Sequence, residues 1–205
     1  MRFLSTTVIA LFLIALAYQQ VLIGSLQNRI TSFEEQSAIS KTAAEYRSDY
    51  YNSEAATLQS PHGLRLKIDE GNDSFILVDV RRNDFYQEGH IVGALNIATD
   101  RSEAEVLADF QTLKDENPSK ELIIYCYSTS CLNGRKVGRF LANNGIYVKE
   151  LSIGYNEWIQ TPEIWNYPGE EYNIEDYIVT GKEPGVFDPI TPARNTSCGS
   201  EAFAC

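Results

Sequence analysis

Cys126 is the residue in this chain best placed to do chemistry. It closes the run Glu121-Leu122-Ile123-Ile124-Tyr125, which reads as a buried strand, and the polar stretch Tyr127-Ser128-Thr129-Ser130-Cys131-Leu132-Asn133-Gly134 follows it. A helical pattern then begins near Arg135. A thiol where a strand gives way to a helix meets loop amides and the positive end of a helix dipole. Both favour a thiolate, the nucleophilic form of cysteine. The same position also suits a half-buried structural cysteine, and Cys126 alone does not separate the two.

The elements that must position this thiol alternate along the chain. Ser60-Pro61 reads as the cap and first turn of a helix, and Gly71-Asn72-Asp73 as a turn. Phe75-Ile76-Leu77-Val78-Asp79-Val80 is a nearly continuous apolar run, as a parallel strand buried on both faces requires. A short helix over Asp84–Glu88 and a short strand near Leu95-Asn96-Ile97 come next. A longer helix from Ser102 then puts Val106, Leu107, Phe110 and Leu113 on one face. After the strand that ends at Cys126 and its helix, Asn143-Asn144-Gly145 is a helical stop. Tyr147–Leu151 reads as another strand, and Gly154-Tyr155-Asn156-Glu157-Trp158 opens a last short helix. Strands alternating with helices imply right-handed crossovers and a parallel sheet.

The 205 residues leave room for one such domain plus extensions. A hydrophobic share of 43% and a charged share of 22% suit a globular fold, and the net charge of -11 argues against a nucleic-acid partner. Arg2 precedes the apolar stretch from Val8 to Ala17, and Ala15 and Ala17 form a small-x-small cleavage pattern before Tyr18. A longer reading runs through Leu26, with Gln19 and Gln20 inside it, and approaches the roughly 20 residues of a membrane span. Residues 1–26 therefore read as a signal peptide or signal anchor, and either exports the rest to the periplasm or beyond. Residues 27–58 read as a polar helical spacer, 59–165 as the domain and 166–205 as a Pro-containing extension, with Tyr172 and Tyr177 spaced for a short helix. Outside the cytoplasm an even cysteine count suggests pairing: Cys198 with Cys205 around a short tail loop, and Cys126 with Cys131.

Several segments together resemble the rhodanese-like domain family. Leu77-Val78-Asp79-Val80-Arg81 with Phe85-Tyr86, then Gly89-His90-Ile91-Val92-Gly93-Ala94-Leu95-Asn96-Ile97, is similar to its amino-terminal motif. Ile124-Tyr125-Cys126 is similar to its active-site strand, and Gly154 through Trp158 to its closing Gly…Trp motif. The resemblance runs from Ser60 to Ile159. It implies a three-layer α/β domain whose central, mainly parallel sheet of about five strands is flanked by helices. It also implies an active-site cysteine at the base of a cradle of loop amides, persulfidated during sulfur transfer. On that footing Cys126 is the expected nucleophile, Tyr127, Ser128, Thr129 and Ser130 its loop, and Asp79, Arg81 and His90 structural support. No cofactor is expected, and two histidines far from the cysteines make a zinc site a poor expectation.

The chain also departs from that family. Its sulfurtransferase loops commonly carry an Arg five residues after the cysteine, and here that position is Cys131. No Arg or Lys lies between Cys126 and Arg135, which weakens the expectation of tight thiosulfate binding. Phosphatase relatives need an Arg at the position of Leu132, and Ile153 replaces the first of two glycines. The Cys126-x4-Cys131 spacing resembles a subgroup with a second loop cysteine, which implies a resolving thiol or a disulfide partner. Three functions stand side by side. One is an exported sulfurtransferase or persulfide carrier, taking sulfur from thiosulfate, a polysulfide or a persulfide and passing it to a thiol or protein acceptor. The second is a thiol–disulfide redox or sensing module, and the third a non-catalytic binding domain. Membrane contact is expected only through an uncleaved N-terminal segment.

Overall fold

The computed structural model describes residues 3–39, 41–166 and 172–187. The chain divides into two compact units, residues 1–52 and 53–205. In the first, one continuous helix, α1 (Phe3–Ile39), extends well beyond the apolar stretch read as a leader and takes in much of the expected spacer. Ala10–Glu34 is long and apolar enough to cross a membrane by length and composition, with a mean hydropathy of 1.5. Its apolar side chains, Leu11, Phe12 and Leu13 among them, are exposed. A second helix, α2 (Ala43–Thr57), follows and leads into the second unit.

The second unit is an α/β domain. Its strands are β1 (Leu58–Gln59), β2 (Phe75–Asp79), β4 (Leu95–Asn96), β5 (Glu121–Tyr125) and β6 (Lys149–Leu151), in the order β1-β6-β5-β2-β4 and all parallel. The helices are α3 (Pro61–Asp69), α4 (Asn83–Glu88), α5 (Glu103–Glu116), α6 (Asn133–Asn143) and α7 (Tyr155–Gln160). Their starts follow local chemistry. Ser60 Oγ accepts the Gly63 amide at α3, and Ser102 with Glu105 forms a reciprocal capping box at α5.

The period of two along the central strands divides the core. Leu77, Ile123 and Tyr125 point to one face, where they pack with Leu64 and Ile68 of α3, Tyr86 of α4 and Trp158 of α7. Val78, Leu122, Ile124 and Cys126 point to the other, against Val106 and Phe110 of α5 and Val137 and Leu141 of α6. This is the expected three-layer arrangement, and it puts the Cys126 side chain on the α5–α6 side. The β2–β5 register pairs Asp79 with Tyr125, so the end of the amino-terminal motif lies beside the residue that precedes the thiol.

Two features have no counterpart in the sequence reading. β1 is a two-residue strand at the sheet edge, paired only with β6. A second small sheet joins β3 (His90–Ile91) antiparallel to β7 (Ile178–Val179) from the C-terminal extension. That extension also supplies Tyr177, buried against Trp158 and Trp165, and Phe187, which lies over Gly93. Gly93 has φ +76, and a Cβ there would come within 2.2 Å of the Phe187 ring. The short helix expected between Tyr172 and Tyr177 is a 3-10 turn over Ile174–Tyr177. Cys198 and Cys205 lie outside the described residues.

Candidate active site

Cys126 follows β5 directly and is 5% exposed, so the sheet delivers its sulfur to the mouth of the loop rather than to open solvent. The Tyr127 amide and the Asn133 side chain lie beside that sulfur and favour its charged form. Asn133 opens α6 and is itself held by a hydrogen bond to Thr99 Oγ1 at 2.7 Å. Thr99 in turn donates to the Val80 carbonyl at the end of β2. Across the loop, Cys131 Sγ lies 2.8 Å from Cys126 Sγ, and both thiols are free. The structure therefore brings together the two cysteines that the spacing singled out.

The protonation of Cys126 differs from the sequence expectation. Burial pushes its thiol up, and the hydrogen bond to Cys131 pushes it further. The Tyr127 amide and Asn133 act in the opposite direction but do not win. The expected thiolate preference fails because a sulfur this buried loses more hydration than these two groups return. α6 also begins without a side-chain cap, at Leu132.

The first turn of α7 clamps the loop from the other side. The Tyr155 amide donates to the Cys126 carbonyl and the Asn156 amide to the Tyr127 carbonyl, each at 2.9 Å. Gly154 packs its Cα directly on the Tyr127–Ser128 backbone. The Glu157 carboxylate then accepts the Thr129 amide at 3.2 Å, the Thr129 hydroxyl at 3.0 Å and the Gly154 amide at 3.0 Å. Burial raises the Glu157 carboxyl, but these donors outweigh it and hold the group below the ordinary carboxylate range. Ser128 and Ser130 share a hydrogen bond between their hydroxyls at 2.9 Å, and the Cys131 amide closes the loop onto the Ser128 carbonyl.

The expected support residues form a buried frame beneath. Arg81 makes a bidentate pair with Asp79, at 2.7 Å for its shortest contact, and donates to the Gly89 carbonyl. Its guanidinium lies 4.0 Å from the Tyr155 ring centroid and also faces Tyr125 and Tyr127. Tyr127, the first loop residue, thus rests on the Arg81 frame. His90 plays a different structural part. Its ring stacks on Tyr86, with Nδ1 against the Tyr86 carbonyl and Nε2 against the Glu183 carbonyl of the C-terminal extension. None of these partners belongs to the cysteine loop.

Sequence reasoning missed Glu157 and Asn133. Glu157 sits three residues after Gly154, the spacing of an acidic residue that reaches back to a helix start, and that signal was legible. Its second reach, to Thr129, joins residues 28 apart in sequence, and no local pattern shows it. Asn133 falls in the polar loop stretch, where nothing in the neighbouring sequence distinguishes it from a turn residue.

The HTH-type transcriptional regulator Rv0324 of Mycobacterium tuberculosis is 38% identical over 82 residues, 40% of this chain and 33% of that protein. The match therefore spans a third of that relative. Among solved structures, the BH2092 protein from Bacillus halodurans is 27% identical, with 56% of this chain and 80% of that one covered and a TM-score of 0.48. A rhodanese with anions from E. coli is 21% identical, with 40% and 88% covered and a TM-score of 0.30. The family described as Rhodanese-like domain matches residues 60–161, a stretch that runs from the cap of α3 through the cysteine loop to the end of α7. Residues 60–161 are a rhodanese-like domain.

Proposed function

We propose that the protein is a sulfurtransferase or persulfide carrier in which Cys126 accepts and passes on a sulfane sulfur. The observation that supports it is the seat of the Cys126 sulfur, set at the end of a central strand and under a loop that the first turn of α7 clamps through the Cys126 and Tyr127 carbonyls. In the forward step the Cys126 thiolate attacks the sulfane sulfur of a donor. The donor's bond to that sulfur breaks, the remainder leaves with the electron pair, and Cys126 holds a persulfide. An acceptor thiolate then takes the outer sulfur and restores the thiolate. No cofactor enters either step.

The 2.8 Å separation of Cys126 and Cys131 favours a second reading, a thiol–disulfide module. Exchange with an external disulfide would join the two sulfurs and release two thiols, so that two electrons pass to the external disulfide. The N-terminal helix fits a signal peptide or anchor, which would put the domain outside the cytoplasm. In that compartment the pair would meet oxidants.

Intact mass separates the readings. Purified protein is incubated with thiosulfate, a polysulfide and a thiosulfonate. A gain of one sulfur atom, reversed by cyanide or dithiothreitol and absent in Cys126→Ser, supports sulfur transfer. A loss of two hydrogens with Cys126 linked to Cys131, and no sulfur uptake, supports the redox module. No change under any of these conditions leaves a binding domain. Protease protection of the domain in intact cells, relieved by permeabilising the envelope for a periplasmic domain, argues against the cell-surface topology, and protection that survives permeabilisation argues against export.

A further inference from the structure

The amide of Thr129, at the centre of the cysteine loop, does not face an empty anion site. It donates to both Glu157 carboxylate oxygens at 3.2 Å, and the Thr129 hydroxyl adds a bond at 3.0 Å. The loop therefore already holds a negative charge, and the hydrogen bonds keep that charge ionised. The arginines around it are committed elsewhere. Arg81 is paired with Asp79, and Arg82, whose amide meets the Tyr127 hydroxyl, is paired with Asp84. Arg135, which lines a small pocket with Ser128 and Thr129, is paired with Glu150. Two apolar side chains flank the loop and reach solvent: Leu132 is 56% exposed, and Phe85, edge-on to the Tyr127 ring with the Arg82 guanidinium over its own, is 37% exposed.

We infer that Glu157 selects the sulfur donor, so that Cys126 takes sulfur from organic hydropersulfides, R–S–SH with an apolar carrier, in preference to the thiosulfate dianion. This rests on the sulfur-acceptor reading of Cys126. A dianion approaching the loop meets a fixed carboxylate and no uncommitted loop cation. The form of a hydropersulfide that a thiolate attacks is the neutral acid R–S–SH, which meets the carboxylate without charge repulsion, and its carrier packs on Leu132 and Phe85. The Cys126 thiolate attacks the terminal sulfur, the donor S–S bond breaks, and R–S⁻ leaves with the bonding pair and takes up a proton. The net change is Cys126–SH plus R–S–SH to Cys126–S–SH plus R–SH, with no external oxidant or reductant. Glu157 touches no reacting atom and is a positioning and specificity residue.

The test compares wild type, Glu157→Gln and Thr129→Val with benzyl hydropersulfide and with thiosulfate, following persulfide formation on Cys126 by mass. Gln keeps the length and an acceptor oxygen but removes the charge. In Glu157→Gln the KM for thiosulfate falls about fivefold while that for the hydropersulfide stays within about twofold, as expected of one partly screened like charge. Thr129→Val loses a hydrogen bond, keeps the charge and keeps the wild-type donor ratio. Hydropersulfide uptake with an unchanged thiosulfate KM in Glu157→Gln overturns the selection by Glu157 and leaves the acceptor role of Cys126 standing. A wild type that prefers thiosulfate does the same. Absence of sulfur uptake from either donor overturns both. Where Glu157→Gln fails to fold, salt decides with the wild type alone: a thiosulfate KM that does not fall as ionic strength rises overturns the inference.

Discussion

Gly154 and Ser128 meet backbone to backbone: a Cβ on Gly154 would lie 2.2 Å from the Ser128 nitrogen and 2.4 Å from the Tyr127 carbonyl carbon. Gly154 has φ -99, an ordinary value, so the glycine answers to space and not to conformation. The closing motif thereby sets the floor on which the cysteine loop rests. Gly154→Ala forces the loop or α7 to move, at a cost of about 1–3 kcal/mol. Urea unfolding measures that loss. Sulfur uptake by Cys126 is expected to slow about tenfold or more, since small misplacements of a nucleophile are expensive. Wild-type uptake in a destabilised Gly154→Ala would show that the loop does not depend on this contact.

Arg81 is the second determinant of the frame. It is 3% exposed and Asp79 is fully buried, so removing the guanidinium strands a carboxylate in the core. Arg81→Met is expected to cost about 3–5 kcal/mol. Replacing both residues by apolar ones of similar volume should cost less than Arg81→Met alone, because no charge is then left unpaired. A double-mutant cycle in urea reads this directly, and additive losses would contradict a coupled pair.

What the sequence made legible, and what it did not, follows from the range of each interaction. Phe75–Asp79 and Glu121–Tyr125 announce themselves as continuous apolar runs, and the caps at Ser60 and Ser102 are local hydrogen bonds. Cys126 at the end of its strand was readable for the same reason. β1 was not, because two residues carry no period and only their pairing with β6 makes them a strand. β7 pairs with β3 across more than eighty residues, and no window contains both partners. The protonation of Cys126 also escaped the sequence, since it depends on burial by residues of α5 and α6 and on the Cys131 sulfur.

Tyr177 ties the C-terminal extension to the domain, its hydroxyl donating to Asp69 at 2.6 Å beside Arg65. Burial, then the Asp69 bond, pushes its phenol up to about 12. A raised phenol keeps its proton in the folded chain, so its contribution is full below the unfolded value of about 10 and is lost as pH rises toward the folded one. Tyr177→Phe should therefore lower stability at neutral pH by about 1–3 kcal/mol. It should also flatten, without abolishing, the fall in stability between those two values, since Tyr86 is likewise raised to about 12. Identical alkaline profiles for the two proteins would remove Tyr177 from the account.

Cys126 gives the sharpest pH test. With burial and then Cys131 both favouring the neutral thiol, the sulfur stays protonated at neutral pH. Its alkylation by iodoacetamide, followed at that site by peptide mass, should climb steadily with pH beyond the ordinary thiol range of about 8.5 and show no plateau near neutrality. Cys131→Ala removes the second of the two causes and leaves the first. The profile of Cys126 should therefore move to lower pH yet remain above an ordinary thiol. A plateau below neutral pH in the wild type would mean that the Tyr127 amide and Asn133 outweigh burial, and that the thiolate rests ready in the loop. A profile unchanged by Cys131→Ala would mean that the two sulfurs, though 2.8 Å apart, do not share a proton.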